Sequence, residues 1–414
     1  MTTSERPGTA YVWIWLPGAH DPVVAGRIDA AGPTHTFTYG QSYLARANAI
    51  AVYLPELPLR RGTQRPDAGL DLAGCLADAG PDSWGQRVIL ARRLGHLDGR
   101  ADTADLSPLT YLLESGSDRI GALDFQPSPT LYEHRGGGAT PLEELMGAAD
   151  TLQAGRALPP SLADALVHGT SIGGARPKVL LTDGGRRLIA KLSSTTDPYP
   201  VVKTEGVAME LARRVGLNVP WTGVTTVAGR DVLLVERFDR TAAGDRRLMV
   251  SALTMLGLGE MNARYASYAD LADLIRARFA NPGATLRELF TRIVFNVAVG
   301  NNDDHARNQA AFWDGTALTL TPAYDLCPQV RSGDETAQAM AIGRDGSRDA
   351  RFGVCRAAAN VYLLSQGQAA DIVEHVVTTV AEQWDDAADS ARLTDLGRSR
   401  LWGRQILNPS VFYA

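Results

Sequence analysis

Two segments carry the side chains best matched to phosphoryl transfer. Gly300 to Asn308 (GNNDDHARN) sets Asp303 and Asn308 in D-x-x-x-x-N spacing. Asp325 follows in TPAYDLCP after one short hairpin, expected from Phe312-Trp313, the turn Asp314-Gly315 and Leu318 to Leu320. Transfer from ATP needs Mg²⁺ held by oxygen ligands, a task for Asn308 and Asp325. It also needs a carboxylate beside the attacking hydroxyl, which points to Asp303. The spacing alone recurs by chance, and Asn-Asn-Asp-Asp is also a good turn with Asn308 as a cap.

A nucleotide triphosphate further requires backbone that can approach its oxygens and a cation to pair with them. Ser171-Ile172-Gly173-Gly174-Ala175-Arg176-Pro177-Lys178 supplies the first, and Lys191, ending the second strand of the next hairpin, supplies the second. The loop has neither the Gly-Lys-Ser/Thr of a Walker A sequence nor G-x-G-x-x-G, which argues against a P-loop ATPase and a Rossmann dinucleotide site. Glu205, in the first turn of the next expected helix, is placed to pair with Lys191. Each feature also has a plain structural account: a tight turn for Gly173-Gly174, a solvated strand end for Lys191, the helix dipole for Glu205. Their order is loop, hairpin lysine, helix glutamate, second hairpin, D-x-x-x-x-N and a further Asp. That is the parts order of a protein-kinase-like fold.

The elements that must position these groups follow from pattern. Tyr11 to Leu16 (YVWIWL) reads as a buried strand, and Thr34 to Tyr39 alternates as a second one after the turn Ala30 to Pro33. PDSWG, Pro81 to Gly85, opens a helix with Asp82 or Ser83 as its N-cap and an end near Gly95. Residues 127 to 141 (PSPTLYEHRGGGATP) are the best linker candidate, so a boundary is expected near residue 135. A helical connector from Leu142 to about Leu166 leads into the loop and the hairpin Val179 to Lys191. Thr204 is expected to cap a helix that ends at Gly216, before strands Thr222 to Val227 and Val232 to Val235. Beyond residue 250 the chain turns mostly helical, with a capping box expected from Thr285 and Glu288 ahead of the apolar run Leu286 to Val297. These spans give three units: 1–135, 136–240 and 241–414.

Composition bounds the possibilities. The 414 residues are 45% apolar and 21% charged, an ordinary globular profile. A formal charge of −5 excludes nucleic-acid binding by bulk attraction. Arg392, Arg398, Arg400 and Arg404 fit a solvated C-terminal helix better than a phosphate-binding surface. Three scattered cysteines make no disulfide framework and suit a reducing compartment. No apolar run approaches the ~20 residues of a membrane span, and the N-terminus lacks a secretory pattern, so a cytoplasmic location is expected.

In SIGGARPK, TEGVAMELARRVGLNVP, LLVERFDR, GNNDDHARN and TPAYDLCP together, with PDSWGQR upstream, the chain resembles the HipA family of serine/threonine kinases, toxins of bacterial type II toxin–antitoxin pairs. The resemblance covers nearly the whole chain. It implies an α+β bilobal kinase-like fold with an extra N-terminal β-rich subdomain, and ATP and Mg²⁺ as cofactors. It implies Asp303 as the catalytic aspartate, Asn308 and Asp325 as Mg²⁺ ligands, and Lys191, paired with Glu205, on the ATP phosphates. Gly173, Gly174, Ala175, Arg176, Pro177 and Lys178 would cover the phosphates. Glu236, Arg237 and Phe238 would form the hinge that meets adenine, largely through main chain, and His305 and Tyr324 would order the site. Ser171 would be a self-phosphorylation site that shuts the enzyme off. The implied partners are a small helix-turn-helix antitoxin (HipB-like), DNA mainly through that antitoxin, and a protein substrate; family members phosphorylate aminoacyl-tRNA synthetases. A small-molecule phosphotransferase and an antitoxin-binding co-repressor with little catalysis are the alternatives.

Three departures from the family pattern stand out. Asp304 replaces a small residue and Arg307 a lysine, both expected to alter electrostatics around Mg²⁺. MVSALTMLGL lacks the histidine-containing segment of the best-known branch, which bears on substrate identity.

Overall fold

The computed structural model describes residues 7–94, 102–136, 140–169, 174, 176–331, 333 and 336–413. Its first sheet is built where β-branched and aromatic residues cluster. Strands β1 (Thr9–Ile14), β2 (Val23–Ala31), β3 (Thr34–Tyr39), β4 (Thr63–Gln64) and β5 (Leu123–Gln126) pair antiparallel in the order β4-β3-β2-β1-β5. The expected strand at 34–39 is therefore the third; β2, which the sequence reading passes over, is its hairpin partner. Gly26 and Asp29 break the alternation of β2, and Gly26 is required there: a methyl group at that position would sit 2.4 Å from the Thr38 carbonyl oxygen. Strand β5 returns only after the helices Ser83–Leu94 and Pro108–Glu114.

The stretch expected to be a free linker is pinned as far as Arg135. Tyr132 packs on Trp13 and Trp15, and Arg135 reaches Asp124 at 2.9 Å. The single connector helix is two, Leu142–Gln153 and Pro160–Gly169, because Gly155 and the Pro159-Pro160 pair interrupt it.

The second sheet runs β6 (Lys178–Asp183), β7 (Arg186–Leu192), β9 (Arg230–Glu236), β8 (Thr222–Val227), all antiparallel. Helix Val201–Val215 crosses it and ends at Gly216 in the left-handed region, as the sequence predicts. Its start differs. Pro200 is the N-cap position and Thr204 lies buried inside the helix rather than capping it. Val201 and Val202 are both buried, Val202 against Leu233 and Val235 of the sheet, and that burial outweighs the preference of Thr for a cap. Glu205 is thus one turn in.

The rest is helical around a small sheet of β10 (Met249–Ser251), β11 (Ala310–Trp313) and β12 (Leu318–Leu320), the last two forming the expected hairpin. Helix Pro282–Val299 runs through the core. The expected capping box is absent: Pro282 begins the helix four residues earlier, Thr285 donates back to the Asn281 carbonyl at 2.7 Å, and Glu288 pairs with Arg292 at 3.0 Å.

One continuous core joins the first sheet to the helical part, from Val12 and Phe37 through Leu211 to Ile293. A polar knot adds a second tie. Asp118 accepts from Arg237 at 2.9 Å and Arg240 at 2.8 Å, and Asp239 accepts from both arginines and from the Gly121 N–H at 2.8 Å. Burial would raise the Asp239 pKa, but Arg237 and Arg240 outweigh it and hold the carboxyl well below its ordinary range. A carboxylate depressed in the folded state contributes stability above its unfolded pKa and loses it as pH falls. Asp239→Ala leaves two buried guanidinium groups short of a partner and is expected to cost about 3–5 kcal/mol at pH 7. Denaturant unfolding checks this, and the gap from the natural protein should narrow as pH drops below about 4.

Candidate active site

The cross-strand pairing of β6 and β7 sets Lys178 opposite Lys191. From there the Lys191 ammonium reaches Glu205 Oε1 and Asp325 Oδ1, each at 2.5 Å. Three elements therefore converge on one cation: a strand, the helix Val201–Val215 that follows it, and the segment after the β11–β12 hairpin, 134 residues away in sequence. Burial by itself would strip the proton from Lys191; Asp325 and Glu205 reverse that and raise its pKa above the ordinary lysine value. Asp325 is lowered by the Lys191 charge, against a smaller push from burial. Glu205 is raised by burial, with Lys191 opposing.

Asp325 differs from Glu205 in access. Its side chain is 41% exposed against 4% for Glu205, so one carboxylate anchors the lysine while the other also faces solvent. Asp325 also sits at φ +59°, unusual for a residue with a side chain and a conformation that tends to occur at functional positions.

Asp303 to Asn308 starts where the core helix stops. Gly300 ends that helix at φ +71°, and a methyl group there would lie 2.7 Å from the Gln405 carbonyl oxygen, so only glycine fits the exit. Asp303 is exposed, and its carbonyl accepts from Asn308 Nδ2 at 3.1 Å and from the His305 N–H at 2.8 Å. With the amide nitrogen so engaged, Asn308 Oδ1 is the atom of that side chain suited to a cation. Tyr324 ties the two segments together by donating to the Arg307 carbonyl at 2.6 Å, and its ring packs on Phe238. Asp325 and Asn308 offer hard oxygen donors of the kind Mg²⁺ takes alongside substrate phosphates. Among the described residues no cluster of three or more His, Cys, Asp or Glu forms a separate metal site.

The two departures in this loop each have protein partners of their own. Asp304 is buried, accepting from Tyr268 Oη at 2.5 Å, Asn296 Nδ2 at 2.8 Å and Gln309 Nε2 at 2.9 Å. It fixes the loop to the core helix, a role the sequence reading misses; the polar Asn296 within an apolar helix was the available signal. Arg307 pairs with Asp78 of the first unit and with Glu260.

Other expected residues lie as follows. Ser171, Gly173 and Ala175 fall outside the described residues. Gly174 is exposed, Arg176 pairs with Asp197 at 2.6 Å, and the Pro177 carbonyl accepts from the Leu192 N–H. Lys178 is buried against Asp82, a partner not anticipated although Asp82 was singled out as a cap. The N–H groups of Glu236 and Arg237 bond to Trp221 and Arg187, and the Arg237 guanidinium is turned into the polar knot. A groove of about 490 Å³ lined by Val215, Glu288, Thr291 and His375 holds none of these groups.

Tyr268→Phe removes a hydrogen bond to a buried carboxylate while keeping the ring. A loss of about 1.5–3 kcal/mol is expected in urea unfolding.

Comparison with known proteins bears on this arrangement. The family model for the HipA-like C-terminal domain matches residues 170–384, and that for the HipA N-terminal domain matches residues 19–126. Y4mE of Sinorhizobium fredii, named as a kinase, is 28% identical over 338 residues, covering 74% of this chain and 76% of that protein. The serine/threonine-protein kinase toxin HipA of Shewanella oneidensis is 26% identical over 206 residues, 43% of this chain and 47% of that protein. Among solved structures, the Shewanella oneidensis HipA chain, in a complex with HipB and operator DNA, superposes with a TM-score of 0.67 at 20% identity. It covers 96% of this chain and 99% of that one, which establishes the α+β kinase-like fold.

Proposed function

The chain belongs to the HipA family of serine/threonine-protein kinases, and on that premise we propose that it moves the γ-phosphoryl group of ATP to a protein hydroxyl as the toxin of a type II toxin–antitoxin pair. The observation that carries this reading is the Lys191 ammonium held between Glu205 and Asp325. That contact brings together the small-lobe sheet, its helix and the segment expected to hold the metal.

In this scheme Lys191, fixed by Glu205, orients the phosphates. Asn308 and Asp325 would hold magnesium, which when bound neutralises charge on the β- and γ-phosphates. Asp303, exposed at the mouth of the loop, accepts the proton of the substrate serine or threonine. Asp304, through Tyr268, Asn296 and Gln309, keeps that loop in place without meeting the substrate. The working division is 1–135, 136–240 and 241–414. The partner is a small helix-turn-helix antitoxin through which DNA is met, the location is the cytoplasm, and the target is a translation protein such as an aminoacyl-tRNA synthetase.

Asp303→Asn should reduce phosphate transfer at least about 100-fold, the scale of a lost general base, with ATP affinity within a few-fold. Radiolabel transfer and nucleotide titration measure the two separately; transfer at the natural rate removes Asp303 from the mechanism. Labelled polypeptides in a lysate support a protein substrate, whereas label confined to small molecules favours a small-molecule phosphotransferase.

Ser171 opens the loop that meets the phosphates. A phosphate there adds about −1.5 to −2 charges beside the nucleotide's own and would disfavour its binding. Mass spectrometry after incubation with Mg-ATP is expected to find phosphate on Ser171. Stoichiometric labelling elsewhere with Ser171 unmodified rules out this switch.

A further inference from the structure

We propose that Asp82, on the first unit, is a positioning residue of the nucleotide site: its carboxylate holds the Lys178 ammonium beside Gly174 and so completes a phosphate-facing pair of lysines. This role presupposes the kinase reading above. It assigns to the N-terminal subdomain a direct part in nucleotide binding.

Lys178 and Lys191 are register partners on adjacent antiparallel strands, so their side chains leave the same face of the sheet. Like charges directly opposite one another repel, and both ammonium groups are largely removed from water, at 2% and 13% exposure. Each therefore needs a nearby counter-charge. Lys191 has Glu205 and Asp325. Lys178 has Asp82 Oδ2 at 2.5 Å, itself only 7% exposed.

Asp82 is held firmly enough to aim what it binds. Its other oxygen, Oδ1, accepts the Gly85 N–H at 2.6 Å at the start of helix Ser83–Leu94, so the two carboxylate oxygens serve different lobes. The ammonium it fixes lies close to Gly174. A methyl group built on Gly174 would be 2.9 Å from Lys178 Nζ. Four residues earlier Asp78 accepts the N–H and hydroxyl of Ser251 at 2.7 and 2.8 Å, and pairs at 3.2 Å with Arg307 of the Asp303–Asn308 segment. One short stretch of the first unit, Asp78 to Asp82, thus grips the Gly-rich side and the catalytic-loop side of the cleft. Mere interdomain packing would also place a buried ion pair here, and nucleotide binding separates the two accounts.

The experiment titrates the full-length chain with Mg-ATP and measures KM and kcat for the natural protein, Asp82→Asn, Lys178→Met and the double variant. Asn caps helices as well as Asp, so Asp82→Asn removes the charge and leaves the Gly85 bond possible. Each single variant should weaken Mg-ATP binding and raise KM about tenfold, the scale of one charge-assisted contact, with kcat within about threefold. The double variant should be no worse than the weaker single, because both act through one ammonium. Natural affinity in Asp82→Asn, or losses that multiply in the double variant, overturns the proposal and leaves the kinase reading intact. A natural protein that does not bind Mg-ATP overturns the kinase reading itself, and this role with it. Should circular dichroism show Asp82→Asn unfolded, Asp82→Glu replaces it: the charge is kept but displaced, a raised KM with a native spectrum supports positioning, and an unchanged KM refutes it.

Discussion

An ammonium taken out of water between two carboxylates is the constraint on which this structure turns. Isolated, the Lys191 charge would cost several kcal/mol to bury. With Glu205 and Asp325 in place the charge is matched twice over, and the lysine holds its proton more firmly than an ordinary one. The contact exists only if all three elements are correctly packed, so it reports on the whole fold. The unequal exposure of its two carboxylates matters as much as the distance. Glu205 is sealed and anchors, while Asp325 keeps a solvent-facing edge.

The lobes are not left to find this geometry alone. The first unit shares a continuous apolar core with the helical part, and the Asp118, Arg237, Asp239, Arg240 knot binds it to the segment leaving β9. The same arginine that family resemblance suggests for the adenine hinge turns its guanidinium into this knot.

Residues that look like electrostatic modifiers prove to be supports. Asp304 lies one position from the candidate base, yet its carboxylate turns inward to Tyr268, Asn296 and Gln309, where burial raises its pKa despite those donors. The left-handed Gly300 and Asp325 mark the two ends of the polar machinery, one where no side chain fits and one where a side chain is held in a sparsely populated conformation.

Motif order and spacing singled out Asp303, Asn308, Asp325, Lys191 and Glu205 and pointed to a kinase-like α+β fold; of those five, the structure joins Lys191, Glu205 and Asp325. The Lys191–Glu205 pair was legible because a strand-end lysine and a helix glutamate are short-range features. Helix starts at Val201 and Pro282 were not, since burial of flanking apolar residues and an N1 proline overrode the apparent caps. The missed strand β2 is broken by Gly26, whose reason is a neighbouring strand rather than anything local. Chain chemistry thus determined which groups were available and in what order. Packing alone decided their partners: Asp325 beside Lys191 across 134 residues, Asp82 beside Lys178 across 96, and Asp304 away from the site. Pairings at that separation depend on how sheets and helices dock, and docking is governed by the shared core rather than by any local run of residues.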